Sequence, residues 1–195
     1  MEIVIILGLI FLNGILSMSE IAMVSARKSR LETAAKKGSK TAKTALRLAN
    51  EPDRFLSTIQ IGITLIGILT GLYSGEALAG DLARWLETIG IPQAHSLTLA
   101  KGIIVILVTY LTLILGELVP KHLGMNAPEK IARLIARPME VLSKIASPFV
   151  WLLSASTQAV IRLTGLHAST ENKVTEEEIK AIIQEGTEDG EIQEV

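Results

Sequence analysis

The sequence predicts an all-α membrane protein, and the distribution of its apolar residues leads to that fold class. Of the 195 residues, 49% are hydrophobic. They are grouped in long uncharged blocks, whereas in a soluble domain they would be spaced periodically. The clearest block, 55–75, has no charged residue and is about as long as a helix needs to be to cross the hydrocarbon core. One further apolar block precedes it and another follows it.

Soluble enzyme chemistry has little support in the sequence. The chain has no cysteine, which excludes a disulfide framework, a thiolate metal site and a cysteine nucleophile. Its three histidines are far apart, and there is no phosphate-binding loop, dinucleotide fingerprint or serine-hydrolase motif. We therefore expect that the protein is not an enzyme.

The first span is predicted over residues 3–24. A single acid, Glu2, precedes it, and neither a basic start nor a small-residue cleavage site of a signal peptide is evident. The polar residues inside this span form one cluster of oxygen-bearing side chains: Asn13, Ser17, Ser19 and Glu20. Glu20 lies close to the following basic residues and has the alternative of pairing with Arg27, Lys28 or a partner helix.

A basic segment follows at 27–54, with nine Lys or Arg residues against three acids. It is rich in alanine, and we predict a cytoplasmic helix close to anionic headgroups. The same charges can contact nucleic acid, but aromatic and base-reading side chains are absent, so we expect no nucleic-acid partner. The positive-inside rule then places the N-terminus outside.

The second span, 55–75, contains glycines at GxxxG spacing, which let helix backbones approach closely in lipid. These are Gly67, Gly71 and Gly75. A tight helix–helix seam is one interpretation, and an ion path lined by Thr64 and Thr70 is the other. Residues 76–101 are predicted to lie outside and to contain a separate short amphipathic helix around Trp85.

The third span is predicted over 102–123 and contains a carboxylate and a proline, Glu117 and Pro120. An ionisable group at this depth is costly and marks a functional site. Proline kinks the helix and leaves the carbonyl of Gly116 without its donor. A carboxylate beside a free carbonyl suits a hard cation, although Glu117 can instead form an ion pair with Lys121, four residues on.

The C-terminal part is predicted to leave the membrane. Residues 129–166 are expected to form a helical hairpin, a juxtamembrane or re-entrant pair, that lies along or dips into the cytoplasmic leaflet. From 167 onward the chain is acidic, and Thr175 with Glu178 forms a capping box that opens a short cytosolic helix. We therefore divide the chain into a membrane domain, 1–166, and a connector, 167–195.

Three segments together carry a family resemblance. They are Ser17-Met18-Ser19-Glu20, Ser57-Thr58-Ile59-Gln60-Ile61-Gly62 and Gly116-Glu117-Leu118-Val119-Pro120-Lys121. In this combination the chain resembles, over nearly its whole length, the transmembrane domain of the CNNM/CorC magnesium-transport family, whose bacterial members are often labelled hemolysin-C-like. The resemblance implies a homodimer of three membrane helices and a juxtamembrane helical pair. It also implies a connector to nucleotide-binding CBS domains, often with a CorC-HlyC domain, and the chain ends just before these domains would begin.

The resemblance also implies a set of magnesium ligands. Family members use serine hydroxyls of the first helix, an asparagine of the second and the glutamate of the third. The candidate ligands here are Ser17, Ser19, Gly116 and Glu117, with Gly116 contributing its carbonyl. The asparagine is not matched, because Gly62 is followed by Ile63.

These observations predict a homodimer in the bacterial inner membrane that moves a divalent cation, Mg²⁺, with its N-terminus outside and its C-terminus in the cytoplasm. The resemblance also implies export coupled to Na⁺. The alternative is a membrane anchor for nucleotide-binding CBS domains that transports nothing. Ile63 favours this alternative, and the intramembrane Glu117 disfavours it.

Overall fold

The structure, a computed structural model, describes residues 1–164, which form helices joined by short loops and contain no strand. The elements are α1 (Glu2–Ser25), α2 (Lys28–Lys36), α3 (Lys40–Asn50), α4 (Pro52–Thr88), α5 (Gln93–Leu113), a π-helix (Ile114–Leu118), α6 (Val119–Asn126) and α7 (Pro128–Leu163). The chain divides into two units, Met1–Leu152 and Leu153–Val195. The all-α prediction is confirmed.

Within residues 1–164, three helical stretches are long and apolar enough to cross a membrane: Glu2–Ser25, Pro52–Thr88 and Gln93–Asn126. The third combines α5, the π-helix and α6. Large apolar side chains such as Leu72 and Ile106 are exposed on their surfaces, which is costly in water and expected in lipid. The three predicted spans are confirmed, and the protein is a multi-pass membrane protein.

Helices α1 and α4 pack against each other and run in opposite directions. Leu16 lies so close to Gly62 that a Cβ built on the glycine would stand 2.7 Å from Leu16 Cδ1. Towards the start of α1, Ile10 belongs to an apolar cluster that includes Tyr73. As the residue number falls along α1 it rises along α4, so the first two spans are antiparallel, as consecutive crossings must be.

The glycines of the GxxxG spacing do not form a seam with another helix of the described chain. A Cβ at Gly67, Gly71 or Gly75 would meet no other atom of the described residues within 4 Å. The close helix–helix approach on α4 is instead at Gly62.

The basic segment forms two helices, α2 and α3, where the sequence predicted one. Gly38 separates them with a φ of 92°, a left-handed conformation that side chains disfavour. Ser39 then caps α3 by accepting a hydrogen bond from the Ala42 N–H at 3.2 Å. Both helices bury apolar side chains, among them Leu31 and Leu48, in the largest apolar cluster described, which also contains Leu16, Phe55 and Ile59 and is called the main core below.

That core also contains the first half of α7, which lies against it through Ala132, Ile135, Ala136 and Met139. Arginines from three different helices contact α7 as well. The pairs are Arg30 with Glu129 at 3.6 Å, Arg47 with Glu140 at 2.5 Å, and Arg54 with Ser147 at 3.4 Å. Part of the basic segment is therefore used to hold α7.

Glu140 is the acid with most basic partners in this group. The Lys144 ammonium, 3.1 Å from the carboxylate, lowers the pKa of Glu140 below its ordinary value through a hydrogen bond, and the nearby charge of Arg47 adds to the effect. The carboxylate is therefore ionised at neutral pH and keeps its contact with α3.

Helix α4 is longer than predicted, and the separate amphipathic helix around Trp85 is in fact its last part. Residues 76–88 contain no proline, and the helix continues through Gly80 to Thr88. It ends before Gly90, which has a φ of 98°. Helix α5 then begins at Gln93, so the loop predicted over 76–101 is short.

The predicted hairpin over 129–166 is a single helix, α7, as far as residue 163. A chain reversal needs turn residues, and 129–163 contains no Gly, Asn or Asp. Pro138 and Pro148 lie inside the helix without ending it. The connector 167–195 and its capping box lie outside the described residues.

Candidate cation site

The third span changes its hydrogen bonding just before Pro120, where five residues, Ile114–Leu118, form a π-helix. Such irregular turns are frequent at functional sites. The carbonyl of Gly116, which Pro120 leaves without its usual donor, accepts a buried hydrogen bond from Asn13 Nδ2 at 3.0 Å. The first span therefore supplies the partner for the carbonyl that the proline frees.

Two glycines allow the backbones of α1 and the π-helix to lie this close. A Cβ on Gly14 would stand 3.0 Å from the Leu115 carbonyl oxygen and 2.9 Å from Pro120 Cγ. A Cβ on Gly116 would stand 3.2 Å from the Ile10 carbonyl oxygen. These distances are tighter than ordinary contacts to a backbone atom, so any side chain would push the two helices apart.

Two buried oxygens on this face of α1, Asn13 Oδ1 and Ser17 Oγ, have no hydrogen-bond partner within residues 1–164. They are four residues apart and therefore on one face of the helix. An unpaired buried polar atom costs about 1–3 kcal/mol, and each such atom calls for an explanation. A bound cation or an ordered water would satisfy both.

About one helical turn after Ser17 on α1, one lysine joins two carboxylates. Lys121 Nζ lies 2.7 Å from Glu117 Oε1 and 3.7 Å from Glu20 Oε2 on α1. All three side chains are partly exposed. The alternative ion pair predicted between Glu117 and Lys121 is present, and Glu20 pairs with the third span rather than with Arg27 or Lys28.

Along this contact Asn13 meets Gly116 and Glu20 meets Lys121. The residue numbers rise together, so the first and third spans are parallel. Since α4 is antiparallel to α1, the three helices have the directions of three successive crossings. The site lies between two helices that cross in the same direction.

The contacts between α1 and the third span involve part of the predicted ligand set. Gly116 accepts from Asn13 of α1, Glu117 pairs with the lysine that also pairs with Glu20 of α1, and Ser17 lies on the same face of α1 as Asn13. Ser19 is fully buried but about 200° around α1 from Ser17, and its hydroxyl donates to the Ile15 carbonyl at 2.6 Å.

The second span adds no ligand to the site. Ile63 stands where the family resemblance expects an asparagine, and it packs against the main core. The Thr70 hydroxyl donates to the carbonyl of Ile66 within its own helix, and Thr64 is exposed. Nothing about these two threonines points to an ion path.

Two members of the site were not in the predicted ligand set, Asn13 and Lys121. Asn13 was recognised as an intramembrane polar residue, but its contact with Gly116 joins positions 103 residues apart in the chain. Helical spacing alone gives no signal for such a contact. The spacing of four did indicate Lys121 as a partner of Glu117.

The donor set suits a hard cation better than a soft one. In residues 1–164 no three His, Cys, Asp or Glu side chains are grouped to hold a metal. The available groups are one carboxylate, one hydroxyl, one amide oxygen and one backbone carbonyl. In proteins generally, magnesium sites use one or two carboxylates with neutral oxygens and retained waters.

Three membrane helices with an oxygen-lined site at an interrupted helix define a transporter-like membrane protein. A family model described as the cyclin M transmembrane N-terminal domain (CNNM) matches residues 4–195, so the chain belongs to this family. This confirms the family predicted from the motifs.

Curated relatives match almost the whole chain. The UPF0053 protein sll0260 of Synechocystis is 46% identical over 100% of this chain and 43% of its own length. The UPF0053 protein YhdT of Bacillus subtilis is 32% identical over 94% and 40%, and the polyamine export protein of Escherichia coli is 29% identical over 95% and 41%. The chain therefore spans about two fifths of these relatives.

Proposed function

We propose that the protein carries a cation across the membrane and binds it between α1 and the π-helix. The observation that supports this most is the pair of buried oxygens without a partner among residues 1–164, Asn13 Oδ1 and Ser17 Oγ, on the α1 face from which Asn13 donates to the carbonyl of Gly116. Polar atoms in such a place are expensive unless a ligand satisfies them. A purely structural anchor has no use for them.

The proposed cation is Mg²⁺. Hydroxyl, amide and carbonyl oxygens with a single carboxylate match a partly hydrated magnesium ion. The amide that the second span lacks at Ile63 is offered by Asn13 of the first span. The proposal includes export from the cytoplasm and coupling to a Na⁺ gradient, both implied by the family resemblance.

A second candidate cargo is an organic amine. A relative, the polyamine export protein of Escherichia coli, carries that name. In this chain, Glu117 and Glu20 already bind a primary ammonium, that of Lys121. A diamine such as putrescine presents the same group, so the two carboxylates favour this class.

A matched pair of serine variants tests the site. Both serines are fully buried in α1, but only the Ser17 hydroxyl is unpaired. Ser17→Ala is expected to weaken Mg²⁺ binding about tenfold, because one ligand worth about 1.4 kcal/mol is lost. Ser19→Ala is expected to leave it within about twofold, since its hydroxyl is used within α1.

The measurements are calorimetric titration of the purified chain and flux into proteoliposomes, each with Mg²⁺ and with putrescine, with and without a Na⁺ gradient. If Ser17→Ala loses putrescine flux but keeps Mg²⁺ flux, the organic amine is favoured over Mg²⁺ as the cargo. Wild-type protein that binds and moves neither cation would leave the membrane-anchor alternative. Equal effects of the two serine variants would show that Ser17 is no ligand.

We also propose that the loop between α2 and α3 lies in the cytoplasm and the loop between α4 and α5 lies outside, in a bacterial inner membrane. Nine basic residues in 27–54 support this orientation. The chain has no cysteine, so single cysteines report the side directly. Gln93→Cys should react with a membrane-impermeant maleimide in intact cells, and Lys37→Cys only after permeabilisation.

Lys37 and Gln93 are both exposed, so reactivity differs only through the side of the membrane. Labelling of Lys37→Cys in intact cells would reverse the proposed orientation.

A further inference from the structure

Lys121 occupies the carboxylate that the proposed cation needs. Its ammonium lies 2.7 Å from Glu117 Oε1, a charge-assisted hydrogen bond of ordinary length. Glu117 and Lys121 are four residues apart on the third span, so the lysine is held next to the site at all times. A cation that binds Glu117 must therefore compete with a positive charge that belongs to the protein.

A second carboxylate lies within reach of the same ammonium. Glu20 Oε2 on α1 is 3.7 Å from Lys121 Nζ. The side chains of Lys121, Glu117 and Glu20 are 33%, 38% and 27% exposed, so the lysine can shift from one carboxylate to the other without repacking the core. A displaced Lys121 would keep an ionic partner.

Both Glu117 and Lys121 need an ionic partner, whether or not a cation is bound. Without a cation, Glu117 would be an unpaired charge in a membrane-spanning helix, which is costly. With a cation bound and no second acid, Lys121 would be the unpaired charge. The two carboxylates and one lysine give a charge of −1 in total, so one group is always available to the cation.

We propose that Lys121 is a tethered counter-cation that sets the affinity of the site and assists release. The cation displaces the ammonium from Glu117 towards Glu20, and the ammonium returns when the cation leaves. This inference rests on the proposed role of Glu117 in cation binding. It makes Lys121 a residue that tunes affinity without contacting the cation.

Two single variants of this chain should change Mg²⁺ affinity in opposite directions. Lys121→Met keeps the length of the side chain and removes the competing charge, so binding should become about five- to tenfold tighter. Glu20→Gln removes the alternative partner, so the ammonium stays on Glu117 and binding should become about two- to fivefold weaker. A lysine that only stabilises the fold would weaken binding when it is replaced.

Calorimetric titration with Mg²⁺ in detergent gives the affinities, and flux into proteoliposomes gives the rate. Lys121→Met should combine a lower KM with a lower kcat, because release loses its competitor. Equal or weaker binding by folded Lys121→Met would overturn the inference. If that variant does not fold, the titration of Glu20→Gln decides, and unchanged or tighter binding there would overturn it.

The failure of the proposed function has a different signature. If Glu117→Gln binds Mg²⁺ as tightly as the wild type, the proposed cation site at Glu117 is wrong. If Mg²⁺ binding depends on Glu117 but Lys121→Met does not tighten it, the site is retained and only the proposed role of Lys121 is excluded.

Discussion

Replacing Glu117 with glutamine is expected to abolish cation binding and flux. Glutamine has nearly the same size and keeps one side-chain oxygen, but it removes the charge. The remaining donors of the proposed site are neutral oxygens, and the charge of a divalent cation would be left uncompensated. We expect affinity for Mg²⁺ to fall at least about 100-fold, equivalent to roughly 3 kcal/mol, with flux at the level of empty liposomes. Calorimetric titration and a Mg²⁺-sensitive dye inside proteoliposomes measure the two effects.

Glu76→Gln is the matched control for this variant. Glu76 is an exposed acid of α4, so the same substitution removes one negative charge from a membrane-spanning helix without touching the site. Its binding and flux should equal those of the wild type. A similar loss in both variants would assign the effect to net charge, and unchanged binding in Glu117→Gln would exclude Glu117 as a ligand.

The positions of the spans were predictable because crossing a bilayer demands a long apolar block, and hydropathy reports that demand directly. The ends of the helices were not predictable in the same way. A helix continues past the apolar block until the backbone is broken, as α4 does beyond Gly75 to Thr88. The ends of α2 and α4 are followed by Gly38 and Gly90, where φ is positive.

The local part of the site was also predictable. Pro120 must leave a carbonyl four residues earlier without its donor, and the structure shows that Gly116 needs a partner from elsewhere. That the partner is Asn13 depends on how α1 docks onto the third span. Hydropathy and helical spacing describe one helix at a time and therefore cannot give this contact.

The prediction for α7 failed for a related reason. The segment predicted as a hairpin contains Pro138 and Pro148, but proline inside a helix only removes donors and bends it. Reversal is helped by residues that readily adopt left-handed turn conformations, and 129–163 has no Gly, Asn or Asp. The contacts of Glu129 and Glu140 with arginines of α2 and α3 also hold the first half of α7 on the core.

Gly124→Ala is expected to destabilise the protein, although alanine is the better helix former. A Cβ at Gly124 would stand 2.3 Å from Ile21 Cγ2 and 2.8 Å from the Met18 carbonyl oxygen. The Ile21 side chain can rotate, but the Met18 carbonyl belongs to the backbone, so α1 and α6 must separate. Overpacking costs about 1–3 kcal/mol, while the gain in helix propensity is about 1 kcal/mol. The net loss should be up to roughly 2 kcal/mol, measured by thermal unfolding in detergent with circular dichroism.

Gly102→Ala is the same substitution in the same membrane span, and a Cβ there would meet no atom of the described residues within 4 Å. It should therefore be neutral or stabilising by up to about 1 kcal/mol. The two variants should also differ in function, because separation of α1 from α6 moves Glu20 away from Lys121 and Asn13 away from Gly116. Gly124→Ala should thus weaken Mg²⁺ binding, whereas Gly102→Ala should not. Equal stability and equal binding in the two variants would mean that α1 and α6 do not pack as closely as the site requires.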